Sequence, residues 1–114
     1  MSARSKPMAQ AKALGAYRRQ ETEAEFQQKV ANLALVNGFR LQYHTWSSRH
    51  SPKGFPDLVL VNEKAKRLIW VELKREGGVL TLEQLVWGNA LIACGQEYYA
   101  WWPHNWETIV KVLR

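Results

Sequence analysis

Two almost uninterrupted apolar runs, residues 55–61 (FPDLVLV) and 68–74 (LIWVELK), constrain this chain more than anything else in it. A strand with one face in water alternates apolar and polar residues, because successive side chains point to opposite faces. These runs do not alternate, so each is predicted as a strand covered on both sides. Only the charged stretch 62–67 (NEKAKR) separates them, which predicts a tight turn between neighbouring strands.

The flanking segments supply the covers. Thr22 has the character of an N-cap with Glu25 three residues on, and Phe26, Val30, Leu33 and Val36 or Asn37 follow at helical spacing up to Gly38. Residues 39–46 alternate at period two and read as a strand, and 47–54 (SSRHSPKG) as a polar loop. After a break at Glu76-Gly77-Gly78, Thr81 starts a helix running through Leu82, Leu85, Val86, Asn89 and Ile92 to Gly95. Residues 97–102 form a last strand, stopped by Pro103, and Asn105 caps a short helix carrying Trp106, Ile109, Val110 and Leu113. The order αβββαβα predicts a three-stranded meander. A right-handed crossover helix then brings the last strand beside an existing one, giving an α/β fold with a central mixed sheet flanked by helices.

Charge divides the chain unevenly. Residues 1–75 hold 14 Lys and Arg against 6 Asp and Glu, whereas residues 76–114 hold 2 against 4. The first nineteen residues carry Arg4, Lys6, Lys12, Arg18 and Arg19 and no acid, so 1–19 is read as a basic, flexible arm and 20–114 as the folded domain. Such an arm suits a phosphate backbone, where Lys and Arg gain affinity by releasing counterions, and equally suits a solvated tail. The start, MSARSKPMAQ, has no apolar run, and none of the ~18 residues a membrane span requires occurs elsewhere, so no secretory signal or span is expected. A lone Cys94 excludes an internal disulfide and a zinc-type cysteine cluster, and points to a reducing, cytoplasmic setting.

Within the apolar runs three charges stand out: Asp57 in the first, Glu72 and Lys74 in the second. Glu72 and Lys74 are two apart and share a face of their strand. Charges on covered strands are costly to desolvate singly, but they make sense around a hard divalent cation held by one or two carboxylates, waters and phosphate oxygens. Asp57 and Glu72 supply the carboxylates, and the Leu73 carbonyl offers a further oxygen. Lys74 is placed to hold an attacking water and to stabilise charge on a phosphodiester. The alternative is a surface ion pair, against which Leu58, Val59, Leu60, Ile69, Trp70 and Val71 make the surroundings apolar on both faces.

His44, Ser48-Arg49, the run Gly54-Phe55-Pro56-Asp57-Leu58-Val59-Leu60, then Glu72-Leu73-Lys74, and later Gln84 and Trp87 together resemble the VRR-NUC family (virus-type replication-repair nucleases) over residues 22 to 109. The resemblance implies a PD-(D/E)XK, restriction-endonuclease-like core of order αβββαβ(α), with Mg²⁺ or Mn²⁺ as cofactor. It implies hydrolysis of DNA, often at branched, junction or flap structures in replication, repair or recombination. It also implies a helical glutamate at the metal site. Glu23 fits that place, sharing a helix face with Gln27 four residues on, whereas Glu25 reads as a capping acid. Gln84, in the first turn of its helix, is a candidate to orient water or a phosphate oxygen. Arg49, His50 and Lys53 beside Gly54, with His44, Arg18 and Arg19, are the candidate DNA contacts, a hydrogen-bonded strand histidine being the plainer reading of His44. Trp87, Trp101, Trp102 and Trp106 read as core or interface. A homodimer is expected, because six tryptophans are many for one small core. The competing readings are a DNA-binding module that does not cut and a nonspecific nickase or exonuclease.

Overall fold

A computed structural model describes residues 19–46 and 49–114. Helix α1 (Glu23–Val36) leads into strand β1 (Leu41–His44), β2 (Leu58–Asn62) and β3 (Arg67–Leu73). Helix α2 (Leu82–Ala93), strand β4 (Glu97–Trp101), a 3₁₀ turn (Pro103–Asn105) and helix α3 (Trp106–Val112) complete the chain. The four strands lie in chain order, β1-β2-β3-β4. β1–β2 and β2–β3 are antiparallel and β3–β4 is parallel, so α2 is the crossover between β3 and β4. The sheet is mixed and flanked by helices, as the sequence predicts.

One face of the sheet holds the core. Phe26, Val30 and Ala34 of α1 pack with Phe39, Leu58, Leu60, Ile69, Val71, Leu73 and Trp101, and Ile109 and Leu113 close the layer from the C-terminal end. These strand positions are alternate residues, so β2 and β3 present a single unbroken apolar surface to α1 and α3. The opposite face is thinner. There Phe55 meets the edges of Trp70 and Trp87, with ring centroids 6.0 and 5.0 Å away. Gly88 lets α2 lie close on β4, where any Cβ would stand 2.6 Å from the Tyr98 ring.

Several local expectations are corrected. Phe39 is buried before β1 begins, and β1 itself is largely exposed, as an edge strand is. The stripe Leu82, Leu85, Val86, Asn89 and Ile92, whose spacing marks the helix α2, lies outward, and Gly88, Trp87 and Leu91 face the sheet. Apolar spacing alone left two faces of that helix in competition, and the small Gly88 allowed the closer approach. Asn105 holds the N-cap position of α3 but makes no side-chain cap: its Oδ1 accepts from the Trp102 amide at 2.8 Å and closes the 3₁₀ turn that Pro103 starts. Thr22 and Glu25 do form the capping box of α1.

Candidate active site

At one end of the sheet, where β2 begins and β3 ends, the pleat turns Asp57 and Glu72 to the α2 side. Asp57 immediately precedes β2, and its backbone carbonyl accepts from the Thr45 amide at 2.8 Å. Its Oδ2 accepts from the Leu73 amide at 2.7 Å, which fixes the carboxylate across the strand from Glu72. Lys74 continues β3 by one residue, its amide donating to the Trp101 carbonyl at 2.9 Å.

Glu72 is 1% exposed. Its Oε2 accepts from Gln84 Nε2 at 2.9 Å, while its Oε1 is the buried side-chain polar atom left without a hydrogen-bond partner among the described residues. Burial first, then the charge and the hydrogen-bonding capacity of Asp57, push the Glu72 carboxyl up to about 9, with Lys74 opposing. An orphaned carboxylate oxygen in a buried site costs free energy that a fold does not normally leave uncompensated. Two facing carboxylates with such an oxygen fit a hard divalent cation.

Both main helices aim their first turns at this acid pair. Glu23, the first residue of α1, has its carboxyl raised by burial and by Asp57, against the opposing pull of Lys74, Arg75 and the Arg75 amide. It therefore shares the electrostatic field of the pair, as Glu25 does not. Glu25 instead binds Arg19 at 2.8 Å and caps Thr22, which holds its carboxyl at about 2. On α2, the Gln84 amide is engaged at both ends. Its Oε1 accepts from the Thr81 amide at 2.8 Å and its Nε2 donates to Glu72, so it orients the acid rather than standing open to water. Glutamate, the other residue suited to this capping position, would set a second negative charge against Glu72. Gly54 makes this packing possible: at φ +84°, a Cβ there would stand 2.4 Å from the Glu83 carbonyl.

A cleft of about 400 Å³ opens at Asp57, lined by Thr45, Trp46, Lys53, Phe55, Asp57 and Gln84 among others. A larger concavity of about 730 Å³ lies at the other end of the sheet, by Gly38, Asn62 and Lys64. It contains the exposed Arg40–Glu63 ion pair and lacks the facing acids that border the smaller cleft. Among the described residues no group of three or more His, Cys, Asp or Glu converges to cage a metal. A cation here would rely on two carboxylates, backbone and solvent oxygens, the habit of Mg²⁺ rather than of zinc.

Of the remaining candidates, Lys53 and His50 are exposed on the loop at the cleft mouth, and Arg49 lies on the same loop. His44 Nδ1 accepts from Gln27 Nε2 at 2.8 Å, a contact that the sequence did not disclose. Arg19 is occupied by Glu25, and Arg18 lies outside the described residues. Tyr98, not anticipated either, sits beneath α2 with its hydroxyl pushed up to about 12 by burial and then by the charges of Glu72 and Asp57. Periodicity gives no signal for these two contacts, since each depends on which helix face lands on the sheet.

Residues 13–101 match the model of the VRR-NUC domain family. No curated protein and no solved structure matches the chain.

Proposed function

The chain belongs to the VRR-NUC domain family and so is a nuclease-type domain, and from that premise we propose that it is a metal-dependent DNA endonuclease selective for branched, junction or flap structures. The observation that carries the reading is the buried Glu72, facing Asp57 with one oxygen unsatisfied, behind an open cleft that Asp57 and Gln84 line. Asp57 and Glu72 would hold Mg²⁺ or Mn²⁺, with the Leu73 carbonyl and, from the edge, Glu23. When bound, the cation offsets charge on the phosphodiester and makes water more acidic. The remaining work falls to the chain. Lys74 holds the attacking water and stabilises negative charge on the phosphate oxygens. Gln84 keeps Glu72 oriented, and Arg49, His50, Lys53 and His44 grip the backbone, with Arg18 and Arg19 on the arm.

The test separates cutting from binding. Wild-type protein with Mg²⁺ should cleave labelled flap, splayed-arm and four-way-junction DNA, and chelator should stop it. Asp57→Ala and Lys74→Ala should lose cleavage but keep DNA affinity in chelator. Near wild-type cutting by Asp57→Ala would move the site elsewhere. Binding without cutting by the wild type, with Mg²⁺ or Mn²⁺, would favour the non-cleaving module.

We also propose that the working form is a homodimer. What supports it is the outer face of α2, where Leu82, Val86 and Ile92 are 72%, 60% and 56% exposed. A contiguous apolar helix face of this kind marks an interaction surface, and a two-fold axis lets the same stripe serve both partners. Light scattering should give twice the 13.2 kDa chain mass, and Val86→Glu should return it to the monomer value. A wild-type monomer, with and without junction DNA, would exclude the pairing.

A further inference from the structure

Trp46 is 75% exposed, more open than Tyr43 of β1 at 55%. Indole surface in water is unfavourable, and tryptophan is highly buried on average. Its position is not left to chance. Thr45, its neighbour, is pinned twice to the start of β2: its amide donates to the Asp57 carbonyl at 2.8 Å and its hydroxyl to the Pro56 carbonyl. The ring then lies on His50, with centroids 4.4 Å apart and planes inclined by 22°. Trp46 thus lines the cleft that contains Asp57 and Gln84, as does Lys53.

We propose that the Trp46–His50 stack is a platform for an unpaired nucleobase beside the phosphate to be cut. This rests on the nuclease reading above and deepens it by naming the substrate feature that the cleft selects. A base inside a duplex has both faces covered by its neighbours, so it cannot extend a stack of protein rings. An unpaired base at a branch, flap or fraying end has a face to offer, and stacking accepts any base because every base has a π-face. His50 closes one side of the indole and stiffens it, leaving the base to stack from the cleft side. Lys53 is placed for the adjoining phosphate. Selection for branched DNA then needs no base-specific hydrogen bond. It follows from one exposed ring held at a fixed place relative to the acid pair.

The experiment uses the full chain in chelator, with splayed-arm DNA carrying 2-aminopurine at the first unpaired position and a blunt duplex carrying it at an internal pair. Wild-type protein should quench the splayed-arm probe. Trp46→Ala should abolish that quenching and lower the ratio of splayed-arm to duplex affinity, by anisotropy, about tenfold. Trp46→Phe should retain most of both. The substituted side chain is exposed, so circular dichroism and melting should match wild type. The platform is overturned if the wild type does not quench, if quenching survives in Trp46→Ala, or if both DNAs lose affinity equally. It is also overturned if Trp46→Ala alters the mass by light scattering and not the probe, which would make the ring a protein contact. Failure of the nuclease reading registers separately, as absence of cleavage of every DNA by wild type with Mg²⁺ or Mn²⁺, while the chelator experiment still decides the stack.

Discussion

Glu72 and Glu97 are carboxylates on the neighbouring strands β3 and β4, yet the two ends of the sheet treat them in opposite ways. Glu97 is gripped by Arg67 from two nitrogens, at 3.3 and 2.5 Å, and by the Tyr99 hydroxyl at 2.7 Å. Its carboxyl falls below the usual range, Arg67 being the main cause. Arg67 also donates to the Val112 carbonyl at 2.9 Å, tying the end of α3 to the sheet. Glu72 is more deeply buried, has one neutral donor and a facing acid, and rises instead of falling. One end is a completed ion pair that fastens elements together. At the other, the fold tolerates an incomplete one. That contrast, rather than the presence of acids, sets Glu72 apart from a structural carboxylate such as Glu97.

The comparison can be broken most sharply by the same substitution at both places. Glu72→Gln should lower cleavage of splayed-arm DNA about a thousandfold, roughly 4 kcal/mol of barrier, whereas Glu97→Gln should stay within about threefold of wild type. Equal losses would mean that the two acids do not differ in kind.

Stability should then move the other way. Glu72 rises from 4.5 to about 9 on folding, so above pH 4.5 the unfolded chain releases a proton that the folded chain keeps. The contribution of this group is greatest below pH 4.5 and is lost as pH rises through about 9. In chelator at pH 8, Glu72→Gln should therefore be more stable than wild type, by about 2 kcal/mol in urea melts, with the curves meeting near pH 4.5. A wild type that is the more stable at pH 8 would show that Glu72 is not strained.

Smaller effects sharpen the contrast. Gln84→Ala removes the hydrogen bond to Glu72 and should reduce cleavage about tenfold, while Gln84→Glu should do worse by adding charge. Smallest of all, Glu97→Gln should cost about 1 kcal/mol at pH 7, since the pair is partly solvated. Glu97 has a lowered folded pKa, so this cost should vanish as pH falls through that value.

Much of this was legible in advance because it depends on local rules. The hairpin of β2 and β3, the parity that puts Glu72 opposite Leu73, the capping box at Thr22 and the helix start at Thr81 follow from spacing and residue type alone. The packing face of α2 was not, since its sequence is apolar nearly all round and only contact with Tyr98 decides that Gly88 turns inward. Gln84 was singled out, but its bond to Glu72 joins groups twelve residues apart through the docking of α2. The Gln27–His44 contact joins α1 to an edge strand whose register no local pattern fixes.

The doubly engaged amide of Gln84 has a consequence for motion. Thr81 Oγ1 accepts from the Gln84 backbone amide at 3.1 Å while the same residue's side chain holds Glu72. Fraying of one helical turn therefore releases the acid, and release of the acid loosens the turn, so the two open as one cooperative unit. Amide hydrogen exchange at Gln84 should report on the cleft without any substrate present. It should slow when a divalent cation is added and quicken in Glu72→Ala, whereas the matching amide of Glu25, bonded to Thr22 Oγ1 at 3.1 Å at the head of α1, should be indifferent to both.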